Sequence, residues 1–127
     1  MPEKQLFEYA IIRIVPRVEL EEFLNAGVIL YCAGQNFLQT RCKLDKERLL
    51  AFSSEMDIDE LEKRLYAFEQ ICKGAPEGGP IANLPMATRF RWLTATRSTI
   101  VQTSPVHPGL CYNAEKTLEK LYEDVVK

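Results

Sequence analysis

The chain has 127 residues, of which 46% are hydrophobic and 27% charged. That is the composition of an ordinary folded domain and excludes intrinsic disorder, and a chain this long can bury a core without disulfides or metals. The formal net charge of -2 argues against a protein whose main task is to coat nucleic acid.

The first residues, Met1-Pro2-Glu3-Lys4-Gln5-Leu6, lack the basic start and apolar run of a secretory signal. The most apolar stretch, Phe23 to Ala33, contains Asn25 and is too short to span a bilayer. The expected address is the cytoplasm, with no membrane role. Residues 1–127 are read as a single α+β domain.

Three strand-like runs come first. Phe7 to Val15 is rich in β-branched and aromatic residues and is closed by Pro16. Phe23 to Cys32 and Phe37 to Lys43 follow, joined by the turn Ala33-Gly34-Gln35-Asn36. Short links predict an antiparallel meander.

Asp45 is placed to cap a short helix through Phe52. Ile58, Leu61, Leu65, Phe68 and Cys72 then recur at steps of three and four, one face of a longer helix. Asp57 with Glu60 forms an aspartate version of the capping box at its start, and Gly74 and Pro76 stop it. Lys73 to Pro85, with its prolines and glycines, is a loop by composition, read as a surface connection ahead of a mobile lid or binding loop.

Pro85 suits the start of a further helix with Met86, Phe90 and Leu93 inward. Ser98 to Thr103 predicts a fourth strand, Ser104 to Gly109 a rigid turn, and Asn113 the cap of a last helix. The order implies an antiparallel sheet of about four strands, meander first, with helices packed on one face.

Strict alternation assigns side chains to faces. Leu24, Ala26, Val28, Leu30 and Cys32 share the core face of the second strand. The opposite face of the meander presents Arg13, Asn25, Gly27, Gln39 and Arg41. An antiparallel sheet with one wet face has this pattern. The same residues also suit an anion, with Gly27 giving close access to the backbone.

Between Glu77 and Glu115 the only charges are Arg89, Arg91 and Arg97. Arginine alone, beside Phe90 and Trp92, fits planar recognition of phosphate or carboxylate, and pairing with the acid-rich segment Asp45 to Cys72 is the plainer alternative. Glu19, Glu21 and Glu22 form a charge run after Pro16. Glu22 is the candidate general base.

Cys32, Cys42, Cys72 and Cys111 are well separated and His107 is the only histidine. No metal site is expected, and Cys32, Cys42 and Cys72 read as small core residues. Phosphate-binding loops, dinucleotide fingerprints and nucleophile elbows are missing, so no cofactor is expected.

Tyr9-x-x-x-Arg13-x-x-Pro16 followed by Glu22-Phe23-x-Asn25-x-Gly27-Val28 resembles the opening of a bacterial family, domain of unknown function 3037. The likeness is close over the first third of the chain and looser over the arginine-rich and proline-rich end. It implies a neighbouring kinase resembling the HipA toxin as a protein partner.

Two functions are carried forward. The first is a non-catalytic binding or accessory module, with such a kinase or a toxin–antitoxin-type system as its context. The second is an enzyme or sensor for a phosphorylated small molecule or nucleic acid, held by Arg13, Arg41, Arg89 and Arg97 with Glu22 as base. A direct nucleic-acid binder through Arg89, Arg91 and Trp92 is the weakest, given the net charge.

Overall fold

The computed structural model describes residues 3–17, 22–97 and 99–126. Glu19 and Glu21 of the charge run, and Ser98, expected to open the fourth strand, lie outside the described residues. The chain is α+β: its described residues form an antiparallel five-stranded sheet and four α-helices.

The strands are β1 (Gln5–Ile14), β2 (Leu24–Cys32), β3 (Phe37–Cys42), β4 (Val101–Thr103) and β5 (His107–Cys111). The helices are α1 (Lys46–Phe52), α2 (Ile58–Lys73), α3 (Met86–Leu93) and α4 (Ala114–Val126). The sheet order is β3-β2-β1-β4, with β5 also on β1. The expected meander is therefore present. The late strands share the far side of β1, β4 against Ile12–Ile14 and β5 against Gln5–Tyr9.

The fifth strand occupies a segment whose prolines signalled a turn. Pro108 has no N–H to donate, which is tolerated because β5 pairs on one side only, with β1. Ser104 bridges the two short strands. Its N–H donates to Ile11 O at 2.8 Å, and its Oγ accepts from Ile11 N at 2.8 Å.

Helix ends follow their capping residues. Asp45 accepts from Arg48 N and Asp57 from Glu60 N, each at 3.1 Å, and Asn113 accepts from Lys116 N at 3.0 Å. Only half of the capping box forms, because the Glu60 carboxylate pairs forward with Arg64 at 3.1 Å. Gly74 ends α2 in the left-handed conformation, φ 73°. The loop after it is folded into two short 3₁₀ turns, Pro76–Gly78 and Pro80–Asn83, with Ala82 buried.

The sheet is buried on both faces. Ala10, Ile12, Ile29 and Leu38 pack with Leu65, Phe68 and Ile71 of α2 and Phe90 and Leu93 of α3. Phe7, Val28, Leu30 and Cys32 pack with Ala114 and Leu118 of α4. The expected one-sided packing is thus extended by α4 on the second face. β2 carries bulky apolar residues at both parities, Val28 and Leu30 one way and Ile29 the other, and a strand of that kind needs cover on both sides. Ile14, Ala26, Leu49 and Leu61 form a third cluster at the end of β1.

All four cysteines are free thiols. Burial pushes Cys42 up to about 12, with the charges of Glu69 and Cys72 adding to it. Burial also raises Cys72 to about 12, against the opposing pull of Arg89 and a hydrogen bond from Thr40. An unfolded thiol ionises near 9.0. The folded state therefore holds protons that the unfolded state releases, so this stability is complete below pH 9 and is lost as pH rises from about 9 through 12. Melting temperature is expected to fall over that range, and a Cys42→Ala/Cys72→Ala variant to fall less steeply.

Candidate functional site

The arginines singled out in the sequence are distributed over the molecule. Arg89 is buried, and its Nη1 donates to Ile71 O at 3.2 Å and Cys72 O at 2.9 Å. It closes the C-terminal end of α2, where carbonyls lack helical partners and positive charge is favoured. Arg97 stacks over Trp92, 4.1 Å to the ring centroid, and donates to Trp92 O. Both lie with α3, on the α2 side of the sheet.

Arg41 faces the other way. It pairs with Glu119 of α4 at 3.0 Å and lies over the Tyr122 ring. Both partners are about half exposed, so the pair positions α4 more than it stabilises it. Arg13 lies 4.1 Å over the Phe23 ring, and its buried Nε has no hydrogen-bond partner. The structure brings Arg13 beside Asn25, its partner in the β1–β2 register, while Arg89 and Arg97 are held by α2 and Trp92 and Arg41 by Glu119 and Tyr122 of α4.

Gly27 sits opposite Cys42 on β3. A Cβ there would stand 2.4 Å from Arg41 O and 2.8 Å from Cys42 Sγ. The close approach permitted by this glycine is made by the neighbouring strand. Glu22 is exposed and lines a separate hollow with Arg17 and Leu50–Glu55.

A β-bulge sets the geometry around Asn25. The β1–β2 register runs Ile12 to Gly27 and then Arg13 to Asn25, leaving Ala26 as the extra residue. A bulge re-aims the side chains beside it. Asn25 and Gly27, assigned to one face by strict alternation, are separated by it. Consecutive residues Leu24, Asn25 and Ala26 all reach the wall of one cavity of about 260 Å³. Lys43 N donates to Ala26 O at 2.9 Å, so the bulge is held by the chain leaving β3.

The cavity lies between β2, α1 and the last turns of α4. Its floor is apolar, built from Ile14, Ala26, Leu49 and Val126, with Tyr122 at one side. Lys43 and Arg48 supply two positive charges at its rim, and Asp45 and Glu123 two negative ones. Among the described residues neither Lys43 nor Arg48 is held in an ion pair. Asn25 Oδ1 is buried without a hydrogen-bond partner. Such a carbonyl costs about 1–3 kcal/mol when left unmet.

Residues 9–126 match the model of a family described as a protein of unknown function, DUF3037. The chain belongs to this family. No curated protein and no solved structure matches it. In this DUF3037 chain, the stretch that carried the resemblance, Tyr9–Pro16 and Glu22–Val28, is the β1–β2 pair with the bulge at its centre. Lys43, Arg48, Tyr122 and Glu123 were not singled out in the sequence, because they come from three separate elements and share no local motif.

Among the described residues no group of three or more His, Cys, Asp or Glu could hold a metal ion. Nor is any helix among them long and apolar enough to cross a membrane.

Proposed function

We propose that this DUF3037 protein is a non-catalytic binding module that takes a small neutral or zwitterionic amphiphile into the cavity between β2, α1 and α4. The observation that carries this reading is Asn25, a residue of the cavity wall whose Oδ1 is buried with no partner of its own. A ligand that donates a hydrogen bond there removes a standing cost of the folded protein. The apolar floor takes the ligand's body, as in most small-molecule sites. The rim balances Lys43 and Arg48 against Asp45 and Glu123, so a phosphorylated ligand would meet two carboxylates along with its cations. An apolar amino acid or a short peptide matches both signs. A cytoplasmic address is supported by four cysteines that are all free thiols.

Two variants test the site. Asn25→Leu keeps the branched shape and the number of heavy atoms, removes the orphan acceptor and has the cavity to take its added bulk, so melting temperature should hold or rise while binding is lost. Val126→Trp fills the cavity from its α4 side. Thermal shift and calorimetry with apolar amino acids and dipeptides, alongside nucleoside phosphates, should show stabilisation by the first group only. Stabilisation by phosphates alone, or stabilisation that survives both variants, overturns the reading. Failure of every compound, with co-purification of a kinase-like partner, would replace it by the accessory-subunit function.

A further inference from the structure

We infer that the chain self-associates as a weak two-fold dimer through the uncovered end of the α2/α3 face of the sheet. Leu6 of β1 and Leu110 of β5 are directly paired in register, and each is an open side chain, 60% and 62% exposed. Tyr112, just past β5, is 60% exposed and lies under the Lys4 ammonium, 5.4 Å from the ring centroid. These residues continue the parity of Ala10 and Ile12, which α2 and α3 cover. The cover ends at Tyr31, which stacks on Phe90 of α3 at 5.5 Å and neighbours Glu8 in register. Beyond it three large apolar side chains face water together, where soluble monomers keep such residues scattered.

The charges on this end choose the occupant. Along β1 the same face reads Lys4, Leu6, Glu8: positive, apolar, negative. A second copy turned about a two-fold axis along the Leu6–Leu110 row sets each leucine on its counterpart. The same rotation brings Lys4 of one copy over Glu8 of the other, twice. Tyr112, beside Lys4, then meets Pro108, the register partner of Glu8. An isologous interface requires this self-complementarity, and the axis at right angles, along the strand, would set Lys4 on Lys4. The patch is small for an obligate dimer, so the association is concentration-dependent.

Sedimentation velocity over a concentration series reads the result. The mass should rise from 14.6 kDa toward twice that value. Leu110→Lys should abolish the rise with the melting temperature unchanged at low concentration, since this side chain is already in water. Lys4→Glu and Glu8→Lys should each weaken the dimer at least about tenfold, because each creates two like-charge contacts, and the double reversal should restore it. A monomer at every concentration, or a dimer indifferent to these changes, overturns the inference.

Discussion

Gly27→Ala is expected to destabilise the fold by about 3 kcal/mol, at the upper end of overpacking costs. The added Cβ would stand 2.4 Å from Arg41 O and 2.9 Å from Cys42 Cα, both backbone atoms of β3. A side chain can rotate away from an intruder, but a strand cannot. β3 pairs with β2 from Gly27↔Cys42 to Cys32↔Phe37, so the clash falls at one end of the ladder and must displace or fray it. Equilibrium urea unfolding gives the change in stability, and a fall in melting temperature on the order of 10 °C accompanies it. An unchanged melting temperature would instead mean that the space over Gly27 is open to a ligand, as the sequence pattern alone allows.

Arg89→Ala is expected to cost about 3 kcal/mol, from two lost charge-assisted hydrogen bonds and the loss of a cation at a helix C-terminus. Its Nη1 bonds the carbonyls of both Ile71 and Cys72, and the side chain is buried, so water cannot replace it. Arg89→Lys should recover only part of this, because an ammonium on a shorter reach lacks the planar fork. Gly74 is tied to the same contact: its φ is +73°, and a Cβ there would lie 2.7 Å from Arg89 Nη1. Gly74→Ala should therefore cost more in the wild-type chain than in Arg89→Ala, where only the backbone strain of about 1 kcal/mol remains. Additive losses would show that Arg89 and Gly74 act separately.

These two residues illustrate how much of the site was legible. Arg89 and Arg97 carry the charge of an anion site in sequence, in a stretch whose only other charged residue is Arg91. The fold uses one to close α2 and stacks the other on Trp92. Charge type is local information, but the partner it meets depends on which helix end lies across the interface. Strict alternation puts Asn25 and Gly27 on one face. Their separation by a bulge was not readable, because strict alternation assumes a residue-for-residue ladder and nothing in Leu24-Asn25-Ala26-Gly27 marks the extra residue. The fifth strand was missed for a related reason, as Pro108 argues against a strand unless its open side is known.

Local physical chemistry determined the α+β class, the β1–β2–β3 meander and the four helices with their caps at Asp45, Asp57 and Asn113. It also marked Cys32 and Cys72 as core residues. Those follow from periodicity and capping, interactions that reach four residues along the chain. Only the tertiary structure decided that α4 covers the second face, that β4 and β5 share one side of β1, and that Asn25, Arg48 and Tyr122 line one cavity. The reason is distance in sequence: the cavity joins β2, α1 and α4 from opposite ends of the chain, and its orphan carbonyl exists only once they have closed around it.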